Sequence, residues 1–336
     1  MAVLLVTSPR FMEHDTGYGH PERPARLDAV LAGVRAAGVS DALVPLEPWR
    51  ATPADLERVH PGRYVAALES FCATGGGALD PDTIVSPASW DAALFAAGSG
   101  LAAVASLDAG DADAAFLAVR PPGHHARPAT AMGFCLFNNV AVAAAALADR
   151  GERVLIVDWD AHHGNGTQDI FWNDDRVAFV SLHEYAPGVY PGTGALDENA
   201  ATTINFPLPP RSTGDAYRAA FEEVIAPFAE SFAPTWVIVS AGFDAHRADP
   251  LTSMGLSAGD YVDLTTRAVS LVPAGRRLVF LEGGYDLDAL AASAGACVAA
   301  LAGERVEPEV PTGAGPGRDM VDRVRRLRVD RDLADN

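Results

Sequence analysis

The chain has 336 residues, of which 49% are hydrophobic, and this is enough apolar sequence to bury the core of one α/β domain. Its formal net charge is −19, so it lacks the basic surface that a general nucleic-acid or membrane-surface binder needs. We therefore predict no nucleic-acid partner and no membrane partner.

Short apolar runs alternate with alanine-rich helical patterns along the chain. The predicted strands cover residues 3–6, 115–119, 154–157, 177–182, 236–240 and 278–281. The predicted helices cover residues 23–36, 61–73, 89–107, 138–148, 215–230, 258–271 and 287–301. This alternation predicts an α/β fold with a mostly parallel central sheet and helices on both faces.

The composition changes at Gly303, where the sequence becomes rich in proline and glycine and then in arginine and aspartate. We predict one domain over residues 1–302 and a surface-lying C-terminal tail over residues 303–336. The three cysteines are scattered, so no disulfide framework is expected. We expect no signal peptide and no stretch that approaches a membrane span, and therefore expect a cytoplasmic protein. The sequence is compatible with a homo-oligomer.

A metal site is indicated by the run from Val157 to Gly166, which reads V-D-W-D-A-H-H-G-N-G. Asp160 and His162 lie two residues apart, so on an extended backbone their side chains leave on the same side. Asp244 follows another predicted strand, and the carboxyl ends of parallel strands form one edge of a sheet. Two carboxylates and one imidazole suit zinc, although iron or manganese would also accept these donors.

Two more polar motifs follow predicted strands. The strand at 115–119 is followed by R-P-P-G-H-H-A, with His124 and His125, and the strand at 278–281 is followed by E-G-G-Y, with Tyr285. Each of these residues has an ordinary alternative interpretation as a helix cap, a turn residue or a core aromatic. Their joint occurrence at strand ends favours a shared site.

Eight motifs in this order resemble those of the zinc-dependent histone deacetylase superfamily, which includes acetylpolyamine amidohydrolases and shares its fold with arginases. The matching stretches are residues 14–24, 120–126, 133–139, 158–166, 181–183, 191–194, 240–244 and 282–286. The resemblance extends to about Leu301 and implies an arginase/deacetylase-like three-layer fold. Asn165 and the opening H-P-E-R-P look like the class II branch and its bacterial relatives.

The resemblance implies a role for each catalytic residue. The three predicted ligands would bind one catalytic zinc ion, and His125 would take a proton from a bound water. A charged His124 and the Tyr285 hydroxyl would stabilise the oxyanion. Asp158 would orient His124 and favour its charged form, while the neutral Asn165 would leave His125 free to act as a base.

The resemblance also implies a substrate tunnel and monovalent-ion sites. Phe134 and Tyr190 match the walls of the tunnel, Gly133 lines its floor and Leu251 faces its mouth. Structural potassium would be bound by the backbone carbonyls of Asp158, Asp160, His162 and Leu182 with the hydroxyl of Ser181, and by the carbonyls of Phe171, Asp174 and Val177.

The implied activity is removal of acetyl or a related short acyl group from lysine side chains of a peptide or protein. The alternative is an acetylated polyamine or another small acetylated amine, which relatives can select with an acid near the tunnel mouth. Leu251 is not an acid, but residues 13–15, 80–82 or Glu184 could supply one. An arginase-like ureohydrolase and a non-catalytic metal-binding protein rank lower, because one Asp-x-His pair is present and the tyrosine and both histidines remain.

Other histidines are expected to play lesser parts. We predict that His14, His20, His60 and His246 lie at the surface or at the rim of the site. His183 is expected to support the site rather than bind metal.

Overall fold

The computed structural model describes the backbone of residues 1–334 and the side chains of residues 1–330. Eight strands form one parallel sheet in the order β2-β1-β5-β10-β9-β6-β7-β8, and β3 and β4 form a short antiparallel pair. The strands are β1 Val3–Val6, β2 Leu43–Leu46, β3 Gly77–Ala78, β4 Ile84–Val85, β5 Ala114–Leu117, β6 Val154–Asp158, β7 Val177–Glu184, β8 Thr203–Leu208, β9 Trp236–Ala241 and β10 Arg277–Leu281. The predicted parallel sheet is confirmed.

The sequence pattern did not predict four strands, namely the short pair β3 and β4 and two strands of the large sheet, β2 and β8, which lie at its two edges. Each edge strand contains a proline, Pro45 in β2 and Pro207 in β8. Proline cannot donate to a strand ladder and so counts against a central strand, but an edge strand tolerates it. The edge position therefore explains why both strands lacked the expected sequence pattern.

Eleven α-helices are found in the described part of the chain. They are α1 Ala25–Ala36, α2 Pro53–Leu56, α3 Gly62–Ala73, α4 Ser89–Ala109, α5 Asn139–Ala148, α6 Asn165–Phe171, α7 Gly214–Ala220, α8 Ala226–Phe232, α9 Ala258–Val269, α10 Leu287–Leu301 and α11 Arg318–Ala334. One layer contains the contacting helices α1, α10, α9 and α7, and the other contains α2 to α6. The predicted helix at 215–230 is divided into α7 and α8 by a π-helical segment, Phe221–Ile225.

Helix α4 corrects the expectation that no stretch approaches a membrane span. It has 21 residues and is apolar enough to cross a membrane by length and composition. About two thirds (67%) of its most apolar window is buried inside the protein, where α4 packs against α5 and β5.

The segment after Gly303 is packed more closely than the sequence predicts. Helix α11 contacts β8 and α7, and its Val321 and Val324 are fully buried in the core. The arginine-rich and aspartate-rich composition hid this apolar pair, because a helix needs only one narrow apolar stripe to pack on a surface.

The parallel register places the ends of the central strands side by side. Asp158 at the end of β6 pairs with Ser240 in β9 and with Ser181 in β7. The turns that follow β5, β6, β9 and β10 therefore meet at one edge of the sheet, as the sequence predicts.

Candidate active site

Three side chains from two strand ends converge on one point at the carboxyl ends of the central strands. Asp160 and His162 follow β6, Asp244 follows β9, and their ligand atoms all lie within 4.8 Å of one another. The Nδ1 atom of His162 is 3.0 Å from Asp244 Oδ2 and 3.2 Å from Asp160 Oδ1. Both carboxylates are fully buried. The structure thus brings the predicted ligand set together.

Backbone amides aim both carboxylates at this point. The Gly283 N–H donates to Asp160 Oδ2 and the Ala161 N–H donates to Asp244 Oδ1, each at 2.8 Å. A Cβ atom at Gly283 would lie 2.3 Å from Asp244 Oδ2, so only glycine allows the turn after β10 to approach so closely. Two buried carboxylates that face one another repel unless a cation lies between them. Together with one imidazole, they form a donor set that fits zinc.

Two adjacent histidines lie beside the ligand group, with ring centroids 4.0 Å apart and ring planes tilted by 40°, and they have different partners. The Nδ1 atom of His124 is 3.0 Å from Asp158 Oδ2, whereas Nδ1 of His125 is 2.8 Å from Asn165 Oδ1. All four side chains are buried. Each predicted pair is therefore in hydrogen-bonding contact.

The different partners give the two imidazoles different charges. Burial opposes a charge on His124, but the carboxylates of Asp160 and Asp158 outweigh it and raise the pKa of His124 to about 10. Burial, followed by the nearby His124 and His162, holds the pKa of His125 well below its usual value. Near neutral pH the pair therefore consists of a charged His124 and a neutral His125.

Tyr285 approaches the site from the turn after β10. Its N–H donates to Asp249 Oδ2 at 2.7 Å, and the guanidinium carbon of Arg26 lies 4.9 Å from the centre of its ring. Burial raises the pKa of Tyr285 well above its usual value, although Arg26 acts in the opposite direction. The hydroxyl therefore keeps its proton and can donate a hydrogen bond.

A buried cluster of charged side chains supports the turn that follows β10. Arg26 in α1 donates to Gly284 O at 2.6 Å and to Glu282 O at 2.5 Å. Glu22 accepts from Arg26 at 3.1 Å and from two nitrogens of Arg120, at 2.5 and 2.7 Å. Burial alone would raise the pKa of Glu22, but Arg120 dominates and lowers it to about 2. Two buried guanidinium groups thus share one carboxylate and hold the strand-end turns together.

A cavity of about 620 Å³ leads from exposed residues at the surface to these groups. All four predicted tunnel residues line it, together with residues that the sequence analysis did not assign to the tunnel. The lining residues are Thr16, Tyr18, Gly19, His20, Pro21, Pro81, Asp82, Ile84, His125, Gly133, Phe134, His162, Tyr190, Leu251 and Tyr285.

Gly133 is required at the base of the cavity. Its φ angle is +55°, and a Cβ atom there would lie 2.5 Å from His125 Cδ2 and 2.8 Å from the Tyr190 hydroxyl. The aromatic ring of Phe134 meets the ring of Tyr285 edge to face, with centroids 5.8 Å apart. Gly133 and the aromatic residues therefore shape the part of the cavity next to His125.

Several of the remaining histidines differ from expectation. The prediction of a surface or rim position is wrong for His14, His60 and His246, which are buried. Each has a polar partner that replaces water: Ser89 Oγ for His14 at 2.7 Å, backbone groups for His60, and a glutamate for His246. His20 lines the cavity, as a rim residue would.

The carbonyls assigned to potassium remain a prediction. Ser181 Oγ lies 2.9 Å from His183 Nδ1, which is consistent with a supporting part for this histidine. In the second predicted site, the carbonyls of Phe171 and Asp174 accept from backbone amides at 3.0 and 3.4 Å. The three cysteines are free and buried.

Comparison with known proteins identifies the family. The family model of the histone deacetylase domain matches residues 20–301. The chain belongs to the histone deacetylase family. Zinc dependence is the norm in this family, and its members are hydrolases of linear amides. The predicted family, fold and hydrolase activity are therefore confirmed.

Two relatives and one solved structure show the extent of the similarity. A probable deacetylase of Archaeoglobus fulgidus is 39% identical, covering 90% of this chain and 87% of the relative. A histone deacetylase-like amidohydrolase of Pseudomonas aeruginosa is 38% identical, covering 80% of this chain and 73% of the relative. The crystal structure of the HDA15 HD domain superposes with a TM-score of 0.89 at 37% identity, covering 98% of this chain and 94% of that domain.

The sequence analysis missed several residues that support this deacetylase site without lining its cavity. Glu22 and Arg26 lie four residues apart within and just after the H-P-E-R-P motif, so an i, i+4 ion pair was the one local sign of their role. Asp249 gave no such sign, because its partners at Tyr285 and Leu251 are backbone amides.

Proposed function

We propose that the protein removes acetyl or a related short acyl group from the side chains of acylated lysines in peptides or proteins. The observation that carries this proposal is a cavity, lined by aromatic residues, that reaches the candidate metal ligand His162 and the candidate base His125. An acyl-lysine side chain is long, unbranched and largely apolar, so it suits such a space.

Asp160, His162 and Asp244 would hold the zinc ion. When bound there, the ion would polarise the scissile carbonyl and lower the pKa of a water molecule. The surrounding donors to the two carboxylates, Gly283 and Ala161, keep their oxygens directed at the ion. These backbone hydrogen bonds to the carboxylates fix the geometry of the ligands.

The histidine pair would divide the proton transfers. His125 is neutral because its pKa is lowered, so it can take a proton from water and later give one to the leaving amine. His124 stays protonated because its pKa is raised, so it would stabilise negative charge that develops on the carbonyl oxygen. Tyr285 would donate a second hydrogen bond to that oxygen.

An acetylated polyamine is the alternative substrate, and one observation favours it. Asp82 is the only acid among the residues that line the cavity in the described part of the chain. Its carboxylate lies on the loop between β3 and β4 and could attract an ammonium group distant from the scissile amide. Leu251, which is 44% exposed at the mouth, favours a peptide because it offers apolar contact and no charge.

The test compares turnover of the zinc-loaded protein on an N-acetyl-lysine peptide and on N-acetylputrescine, with metal-free protein as the control. Higher kcat/KM on the peptide is expected, and preference for N-acetylputrescine would refute the lysine proposal. Asp82→Asn should leave peptide turnover within about twofold, because a single partly buried carboxylate contributes little to binding an uncharged acyl-lysine side chain. The matched control is Glu13→Gln, which removes an exposed acid that does not line the cavity.

A further inference from the structure

The chain that follows the matched family domain packs against the loop between β9 and α9, which carries the candidate metal ligand Asp244. Residues 309–317, which we call the strap, lie outside the match at residues 20–301. The strap is tied to α9, since Thr312 donates from N and Oγ1 to Asp260 at 3.0 and 2.7 Å. It is also tied to the chain before α7, since Gly315 N–H donates to Thr213 Oγ1 at 2.9 Å.

Packing between the strap and α9 leaves no spare room. A Cβ atom at Gly259 would lie 2.2 Å from the carbonyl oxygen of Glu309 and 2.9 Å from Pro311. Ser257 Oγ donates to Val310 O at 2.8 Å. The strap is therefore fixed in place on the helix that follows the loop between β9 and α9.

Glu309 is the strap residue that reaches this loop. One carboxylate oxygen accepts from His246 Nε2 at 2.6 Å and from the Ala258 N–H at 2.9 Å, and the other accepts from Arg247. The Nδ1 atom of His246 accepts from the Ala248 N–H at 3.2 Å, so the ring proton lies on Nε2 and points to Glu309. His246 is 4% exposed, so water cannot easily replace this contact.

Hydrogen bonds continue from His246 to the catalytic turn. The carbonyl oxygen of His246 accepts from the Asp249 N–H at 2.9 Å. The Asp249 carboxylate then accepts from the Tyr285 N–H at 2.7 Å and from the Leu251 N–H at 2.9 Å. Asp244 lies two residues before His246. The same loop therefore carries the metal ligand Asp244, the mouth residue Leu251 and Asp249, which supports Tyr285.

We propose that Glu309 is a positioning residue of the active site, which acts through His246 and Asp249 on Tyr285. The kinetic part of this inference rests on the proposed function. A carboxylate is suited to this position because it accepts from three donors at once, whereas an amide has one accepting oxygen and would turn its own N–H groups toward the others. Loss of the contact should loosen the loop without removing any group that touches substrate.

The first test measures loop opening and does not depend on activity. Backbone hydrogen exchange is compared for zinc-loaded wild type, Glu309→Gln and the matched control Glu307→Gln, an acid of the same segment that pairs with Arg305. We expect exchange at Leu251 and Tyr285 to be about tenfold faster in Glu309→Gln and unchanged in the control. Equal exchange in all three proteins would overturn the inference. If Glu309→Gln does not fold, His246→Gln breaks the same contact from the other side.

The second test asks whether the effect reaches the reaction through Tyr285. Glu309→Gln should lower kcat about tenfold with little change in KM, because a small misplacement of a catalytic group is costly to the rate. In a Tyr285→Phe background it should lower kcat by less than about twofold, since coupled residues are not additive. Equal losses in both backgrounds would indicate general destabilisation and refute the positioning role. If the wild type turns over neither substrate, the proposed function fails, and hydrogen exchange alone decides this inference.

Discussion

Gly133→Ala should abolish most turnover while leaving the protein folded. The new Cβ atom would lie 2.5 Å from His125 Cδ2, which is about 0.9 Å short of the 3.4 Å at which ordinary contact begins. His125 cannot move away freely, because its Nδ1 atom is bonded to Asn165 at 2.8 Å. A displacement of roughly 1 Å at a catalytic group can lower the rate on the order of 100-fold. We therefore expect a loss of that order in kcat.

A second glycine separates this effect from backbone strain. Alanine at the φ of +55° of Gly133 costs about 1–2 kcal/mol of stability. Gly151 has a φ of +86°, and no atom lies within 4 Å of the place that a Cβ atom would take, so Gly151→Ala carries a similar backbone cost without the clash. The assay is kcat and KM on an N-acetyl-lysine peptide, with thermal unfolding of both variants. Activity of Gly133→Ala within threefold of that of Gly151→Ala would refute the reasoning.

Three further substitutions test the proposed roles. Tyr285→Phe should lower kcat about 100- to 1,000-fold because the oxyanion loses a donor, while zinc content by elemental analysis stays at the wild-type level; full activity would exclude Tyr285 from that role. Asp244→Ala should reduce bound zinc to a small fraction of the wild-type value, because one of three ligands is lost, and retention of one zinc per chain would contradict the ligand assignment. Asn165→Asp should move the acidic limb of the pH profile of kcat/KM to higher pH. The added carboxylate raises the pKa of His125, and the protonated ring cannot accept a proton; an unmoved limb would argue against His125 as the base.

The polar residues at the carboxyl ends of the central strands were predictable because the sequence pattern that indicates them is local. A strand pattern followed at once by polar residues needs only a dozen consecutive positions, and parallel strands bring such ends together in any α/β sheet. The family resemblance then added Asn165 and Tyr190, for which no local pattern exists.

The supporting contacts were not predicted because they join distant parts of the chain. Glu22 meets Arg120 across 98 positions and His246 meets Glu309 across 63. The sequence shows that these residues are charged or polar, which ordinarily means an exposed position. Only the fold brings each pair together, and the partner then compensates the cost of burying Glu22, Arg120 and His246.

The two edge prolines have a consequence for how copies of this protein can meet. An exposed edge strand offers unpaired backbone groups to which a strand of another molecule can add. Pro45 and Pro207 each lack the N–H that such an added strand would need; in addition, β2 has only four residues and every residue of β8 is buried. Both edge strands are thus poor templates for the addition of a strand from another molecule. Sheet extension between copies, which leads other parallel sheets into fibrous aggregates, is disfavoured here by the same residues that concealed β2 and β8 in the sequence.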